Sequence, residues 1–350
     1  MAGGTGGHVF PGLALAQYLR DRQIEVHWLG TKQGLEARLV PEQNIPLHFI
    51  SISGIRGKGA KALLLAPWRM MMALIQSLRI IRQIKPEVVI GMGGFVSGPG
   101  GVAAWLLRYP LVIHEQNAKV GMTNRYLSYL AARVLQAFPQ AFTPQKKVIT
   151  TGNPVRADMT CLLPPEQRMK NTAKRMRLLV IGGSLGAAAL NELVPDALAN
   201  IPLAERPEVC HQSGEKHFSQ AKAAYAAKGI DVELVPFIHD MGKAYSWADM
   251  VLCRAGALTL AELCAVGVGA IFVPYPHAVD DHQTANAQYL VQQAAALCIP
   301  QAGLTAEHLA AILMQFTQSP EKRLAMAQAA YQLRRVDVTE RMYEILKELV

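Results

Sequence analysis

Short apolar runs recur along the chain, each of strand length and each followed by a segment long enough for a helix. In the first half they are VHWLG (26–30), LHFISI (47–52), EVVIG (87–91), PLVIHE (110–115) and RVLQAF (133–138). Further on they are MRLLVIGG (176–183), VELVPF (232–237), MVLCRAG (250–256) and AIFVPY (270–275). Strands that read as continuous apolar runs are buried on both faces, and helix-length crossovers between them make them parallel. The pattern predicts an α/β protein with doubly wound, mostly parallel sheets. At 350 residues the chain exceeds one ordinary core, so two Rossmann-like domains are expected, with sites at the carboxyl ends of their strands, in the cleft where they face one another. The break at 158–176, with a Pro-Pro pair and a charged run, reads as the linker region. It separates a first domain over 1–157 from a second over 177–335. The stretch from 305 onward reads as helical, and 336–350 is expected to be a helix packing back on the first domain.

Composition narrows the function classes. Apolar residues make up 51% of the chain and charged ones 17%, which excludes general disorder. The five cysteines share no short metal-ligand spacing, so a reduced compartment and no metal site are expected. No secretory signal precedes the glycine run that starts at residue 3. Charge is divided unevenly. Residues 1–156 hold 18 Lys/Arg against 6 Asp/Glu, a net +12, while the rest holds 17 against 20, a net −3. The basic half calls for an anionic ligand or surface. No nucleic-acid module is present, and anionic lipid fits.

Three glycine-rich loops carry the binding argument: GGTGGH (3–8), GMGGFVSGPGG (91–101) and GGSLGA (182–187). Glycine permits a tight turn and close ligand approach, and a helix starting just beyond turns its N–H groups and positive dipole end towards phosphate. GGSLGA matches neither the dinucleotide fingerprint nor the Walker pattern, which points to a sugar nucleotide. The first loop lacks the buried strand that such a loop normally follows. The first domain is therefore expected to miss its first, central strand, through an upstream start or a lost element, and to gain stability from about six apolar residues placed ahead of Met1.

Individual residues follow. In RAGALTLAELCAVG (254–267) a helix is expected to start near Leu258 or Thr259, with Glu262 near its first turn, where a carboxylate accepts hydrogen bonds from a ribose diol. Asp280, Asp281 and His282 are adjacent on one loop and so do not converge on an ion. Gln283 and Asn286 are better placed for sugar hydroxyls. The candidate bases are His8, whose imidazole suits neutral pH, and the HEQN cluster with His114 and Glu115. Arg156 is placed to neutralise phosphate. Residues 63–83 fall short of a clean membrane span. With Trp68, Arg69, Arg79 and Arg82, the basic run 54–62 ahead of it, and Trp105 further on, this stretch reads as an amphipathic helix lying on anionic lipid.

Taken in order, GGTGGHVFPGLALA, ISGIRGKG, GMGGFVSGPGG, HEQN, GNPVR, GGSLGA, RAGALTLAEL and PHAVDDHQTANA resemble glycosyltransferase family 28, in particular the bacterial GlcNAc transferases that form lipid II. The resemblance spans nearly the whole chain. It implies the two-domain GT-B fold and inverting transfer of GlcNAc from UDP-GlcNAc to the C4 hydroxyl of MurNAc in lipid I, with no cofactor and no metal in the chemical step. It implies peripheral attachment to the cytoplasmic face of the bacterial inner membrane, beside cell-wall and division machinery, and no nucleic acid. Residue by residue, it implies donor contacts from Thr5, Gly6, Gly7, Asn117, Arg156, Ser184, Ile238 (by its backbone), Ala257, Leu258, Thr259, Leu260, Ala261, Glu262 and Gln283. Gly93, Gly94 and His114 would meet the acceptor, and His8 and Glu115 would be catalytic. Leu185 departs from the family pattern, where glutamine is common. Other GT-B transferases, a UDP-sugar epimerase and a non-catalytic membrane-binding scaffold are the rival readings.

Overall fold

The computed structural model describes residues 1–52, 65–169, 175–183 and 186–350. The chain divides into two compact units, Met1–Val155 with Asp337–Val350, and Arg156–Val336. The first contains α1 (Gly6–Arg20), β1 (Trp28–Gly30), α2 (Glu36–Glu42), β2 (Leu47–Phe49), α3 (Ala66–Ile84), β3 (Val89–Gly91), α4 (Gly94–Leu106), β4 (Leu111–Glu115), α5 (Met122–Leu130), β5 (Arg133–Gln136) and β6 (Val148–Thr150). The second contains α6 (Ala157–Thr160), α7 (Pro165–Arg168), β7 (Arg177–Ile181), α8 (Ala188–Ala199), β8 (Glu208–Gln212), α9 (Phe218–Ala227), β9 (Glu233–Val235), α10 (Met241–Trp247), β10 (Met250–Cys253), α11 (Ala257–Val266), β11 (Gly269–Phe272), α12 (His282–Val291), β12 (Ala296–Cys298), α13 (Ala306–Thr317) and α14 (Pro320–Gln332). The last helix, α15 (Val338–Lys347), belongs to the first unit and packs on α1.

Among the described residues every strand pairing is parallel. In the second unit the six strands run β12-β11-β10-β7-β8-β9. The order reverses between β7 and β10, so the crevice at their carboxyl ends is the natural ligand position. The core is built from Leu178, Val180, Leu252 and Ile271 on the sheet, covered by Leu190, Val194 and Leu198 of α8 and by Leu309, Leu313 and Phe316 of α13. Their helical spacings of three and four place each set on one face.

The 158–176 stretch differs from the expected linker. Residues 156–169 are part of the second unit, where the Arg168 guanidinium donates to the carbonyls of Tyr245, Ala248, Val266 and Gly267. Burial outweighs chain charge here, because that one side chain satisfies four carbonyls at strand and helix ends. Residues 170–174 lie outside the described residues. Strands β6, β8 and β12 add to those expected; β8, EVCHQ, is too polar to stand out as an apolar run.

In the first unit, β3-β4-β5-β6 form one sheet and β1-β2 another. Between β3 and β1 there is no described strand, only the start of the chain. The Met1 ammonium donates to Ile90 O at 2.8 Å, Met92 N donates to Met1 O at 2.8 Å, and Trp28 Nε1 donates to Ala2 O at 3.0 Å. The first two are the rungs of a parallel strand one residue long against β3, and the third is an indole side chain holding the other flank. Where that strand would continue lies a cavity of about 710 Å³, lined by Trp28 and Leu29 on one side and Val88 to Ile90 on the other, with Leu15, Leu19, Ile81 and Leu346 between. Burial pushes the Met1 ammonium down to about 5.

A chain with about six apolar, β-branched residues ahead of Met1 is expected to fill this cavity with a strand beside β3 and to raise the unfolding midpoint by roughly 5 °C. Thermal melts of the two chains test this, and equal midpoints would refute it.

Candidate active site

In the first unit the loop after the remnant strand runs into α1, which begins at Gly6 with Thr5 as N-cap. Thr5 and Gly7 are exposed, and Gly6 and His8 half-buried. A residue that sequence reasoning passed over holds the loop in place. Glu36 is completely buried and accepts from Gly4 N at 3.0 Å, Thr31 N at 2.9 Å and Thr31 Oγ1 at 2.8 Å.

The second glycine loop closes on the first. Gly93 and Gly94 have φ of +90° and +76°. A Cβ at Gly93 would lie 2.8 Å from His8 Nδ1, and one at Gly94 would lie 2.5 Å from Gly3 O. Glycine is required at both for conformation and for space. Gly93 therefore seats the imidazole of His8 in addition to any contact with an acceptor. His8 Nδ1 stands 3.1 Å from Gln116 Oε1.

The HEQN cluster divides by environment. Glu115 is buried and accepts four hydrogen bonds, from Asn117 N and Nδ2 at 3.0 and 3.2 Å, Gly121 N at 3.1 Å and Asn124 Nδ2 at 3.0 Å. These four bonds make it the anchor of the 117–124 turn. His114, expected at the acceptor, is completely buried, and its Nε2 is 2.9 Å from Gly152 O. Burial pushes its pKa down to about 4, so it is a neutral interior histidine. Asn117, half-buried at the end of β4, keeps a position from which it can reach a ligand.

In the second unit the loops after β7 and β10 stand side by side at the switch point, since Ile181 pairs with Cys253. A Cβ at Gly186 would lie 1.9 Å from Ser213 O, and one at Gly182 would lie 2.2 Å from Ala187 N. A buried relay supports this close packing. Asn191 Nδ2 donates to Ser213 O at 2.9 Å, His211 Nε2 is 3.0 Å from Asn191 Oδ1, and His211 Nδ1 is 2.7 Å from Tyr225 Oη. Ser184 and Leu185 lie outside the described residues.

Helix α11 begins at Ala257 with Gly256 as N-cap, one or two residues earlier than expected. Glu262 therefore stands in the second turn. Ala257 and Leu260 turn their side chains into the core, so only their backbone can meet a ligand, while Leu258, Thr259 and Ala261 are half-buried. The Tyr245 hydroxyl donates to Glu262 Oε2 at 3.0 Å. Burial pushes the Glu262 carboxyl up to about 7, opposed by that hydrogen bond and by Arg156. Arg156, the first residue of this unit, is exposed and lies 3.7 Å from Asp158. Ile238 is half-buried in the loop after β9.

Gln283, in the first turn of α12, ties down the loop before it, its Oε1 accepting from Tyr275 N at 2.8 Å. Arg254, unremarked in the sequence, braces the same loop through Val273 O at 2.8 Å, Pro274 O at 3.1 Å and Gln301 Oε1 at 2.7 Å. Asn286, expected to meet sugar hydroxyls, is instead buried and donates to Ala255 O at 3.2 Å. Among the described residues no three His, Cys, Asp or Glu side chains converge as metal ligands.

On the surface of the first unit, α3 buries Ala73, Ser77 and Ile81, at four-residue spacing, and exposes Trp68, Met70, Met71 and Met72 beside Arg69, Arg79 and Arg82. Trp105 and Leu106 are exposed at the end of α4, which packs on α3. The basic run 54–62 lies outside the described residues. Among the described residues no helix is long and apolar enough to cross a membrane.

Comparison with known proteins adds an independent line. Residues 1–136 match the glycosyltransferase family 28 N-terminal domain and residues 177–347 its C-terminal domain. Among curated proteins, the UDP-N-acetylglucosamine–N-acetylmuramyl-(pentapeptide) pyrophosphoryl-undecaprenol N-acetylglucosamine transferase of Marinobacter nauticus is 55% identical over 98% of this chain and 94% of its own length. The protein of the same name from Nitrosococcus oceani is 53% identical over 98% and 96%. Among solved structures, Acinetobacter baumannii MurG superposes with a TM-score of 0.85 at 40% identity, covering 99% of this chain and 98% of that one.

The packing of the two first-unit loops can be tested directly. Gly94→Ala drives a methyl group into the Gly3 carbonyl, whereas Gly229→Ala, at φ +61° with nothing within 4 Å, meets only backbone strain. Melts are expected to show a loss of about 1 kcal/mol for G229A and about 3 kcal/mol or more for G94A. Equal losses would mean that the loops do not depend on the close approach.

Proposed function

This chain belongs to glycosyltransferase family 28, and we propose that it transfers GlcNAc from UDP-GlcNAc to the C4 hydroxyl of MurNAc in lipid I, with inversion, giving lipid II for peptidoglycan synthesis. The observation that carries this reading is 55% identity across 98% of the chain to a transferase of that name, together with family models matched in both halves. The GT-B fold, two Rossmann-like α/β units, is the architecture of this family.

On this reading the acceptor C4 oxygen bonds to the anomeric carbon of GlcNAc as the bond from that carbon to UDP breaks. His8 takes the hydroxyl proton, and UDP leaves with the bonding electron pair. Glu262 accepts hydrogen bonds from the ribose hydroxyls, and Tyr245 keeps its carboxyl oriented. The first turn of α11 presents backbone N–H groups and its positive end to the diphosphate, assisted by Arg156 and by the loop that contains Ser184. Ile238 meets uracil through its backbone. Gln283, whose carbonyl oxygen is engaged by Tyr275 N, turns its amide donors to sugar hydroxyls. Thr5, Gly6, Gly7 and Asn117 contribute donor contacts from the first unit, and the Gly93–Gly94 loop faces the acceptor diphosphate. Glu115 and His114 hold the turn and the interior behind them.

Attachment to the cytoplasmic face of the inner membrane rests on α3. Its exposed Trp68 and methionines enter the headgroup boundary, while Arg69, Arg79 and Arg82 meet anionic phosphates. No spanning helix is needed for this mode.

Transfer of labelled GlcNAc from UDP-GlcNAc to a lipid I analogue tests the reaction. The parent is expected to turn over, and His8→Ala to lose about 100-fold or more in kcat. Equal rates would remove His8 from the chemistry and leave the reaction standing; no transfer by the parent would overturn the reaction itself. For the membrane, the chain is expected to pellet with vesicles containing phosphatidylglycerol at low salt. Trp68→Ala and Arg79→Ala should each reduce the bound fraction, and absence of pelleting by the parent rules the surface out.

A further inference from the structure

Behind His8 lies a chain of hydrogen bonds whose directions are fixed from its far end. Gly152 O, a carbonyl, can only accept, and it lies 2.9 Å from His114 Nε2, so Nε2 of His114 carries a proton. His114 is completely buried and neutral, its pKa pushed down to about 4 by burial, so its Nδ1 is bare and accepts. The Gln116 amide nitrogen lies 3.1 Å from that Nδ1 and 2.8 Å from Met92 O. Both neighbours are acceptors, which settles the orientation of the amide and uses both of its protons. Gln116 Oε1 is left facing His8 Nδ1 at 3.1 Å. A carbonyl oxygen cannot donate, so the proton between them belongs to His8 Nδ1.

We propose that Gln116 is a positioning residue that holds neutral His8 as its Nδ1–H tautomer, leaving Nε2 as the nitrogen that takes the acceptor proton. This rests on the reading of His8 as the base. The arrangement has the logic of a buried group that orients a catalytic imidazole from behind, with a neutral amide as the orienting group and a second, buried histidine fixing that amide in turn. Its parts fit closely. Gln116 is buried, Asn153 Nδ2 donates to its main-chain carbonyl at 3.0 Å, and Gly93 leaves the space that the His8 ring occupies, where a Cβ would meet Nδ1 and Cε1. Proton uptake at Nε2 turns Nδ1–H into an imidazolium donor and strengthens its bond to Gln116 Oε1. The relay therefore stabilises the form of His8 produced in the reaction as well as selecting the form that starts it.

The tautomer is read from two-bond proton–nitrogen correlations on the full chain with 15N-labelled histidine, at alkaline pH, with His8→Ala identifying the signal. The parent is expected to show a protonated Nδ1 and a bare Nε2 at His8. Gln116→Met removes the acceptor. The Nδ1–H preference should then be lost and kcat fall about 10- to 100-fold, with KM for UDP-GlcNAc changed less than about twofold. A protonated Nε2 in the parent overturns the proposal, and it does so even if Q116M does not fold. An unchanged tautomer in folded Q116M overturns it as well. If H8A keeps the parental kcat, it is the assignment of His8 as base that fails, whatever the tautomer proves to be.

Discussion

In a wholly parallel sheet every strand ends on the same edge, and every helix that follows a strand starts from that edge. Backbone N–H groups without intrahelical partners and the positive ends of the helix dipoles are thereby gathered on one side before any side chain is chosen. Both units of this protein depend on that. Gly6, Gly94 and Ala257 each open a helix, and the second unit reverses its strand order between β7 and β10. What the sequence adds at those points is glycine, so that backbone can meet backbone. The positions a Cβ would take at Gly94 and Gly186 are already filled by main-chain oxygens.

Once the loops are that close, buried polar side chains hold them. Glu36, Glu115 and Asn191 sit under different loops and do the same work, accepting from or donating to main-chain groups that the tight turns leave unpaired. Each is buried with its partners in reach, which is the condition under which a polar group can be kept from water without a large penalty. The same criterion separates anchors from reactive groups. Glu115 and His114 stand beside each other in a conspicuous motif, yet one is saturated and the other neutral and enclosed. His8, by contrast, stands half-buried on the more open helix start.

The sheets were legible in the sequence because parallel strands are apolar on both faces, so five of the first-unit strands and four of the second stand out as runs. Strand β8 escaped because Glu208, His211 and Gln212 interrupt it, and His211 and Gln212 are polar for a reason visible only in space: they bond Asn191 and Gly183 O. The glycine loops, Glu262 and Gln283 stand out in the sequence by residue type and spacing. Glu36, Tyr245, Arg254 and the amide of Gln116 do not, since a residue that acts through another carries no local signature. His114 and Asn286 have side chains that suit ligand contact, and only the structure shows that both are buried and bonded within the fold. The linker was sought where proline and charge cluster, whereas the chain changes units at Val155 and returns at Asp337.

That return bears on the order of events during synthesis. Val338, Met342, Ile345 and Leu346 complete the same core as Val9, Leu15, Ala16 and Leu19, at the opposite end of the chain. The second unit is continuous and can close its core as soon as residue 336 has left the ribosome. The first, though made earlier, must wait with an open apolar face until the final helix emerges. The loop closure it needs is nearly as long as the protein itself. The half of the molecule that emerges first is therefore the last to finish folding, and it is the half that a stalled or truncated chain leaves exposed.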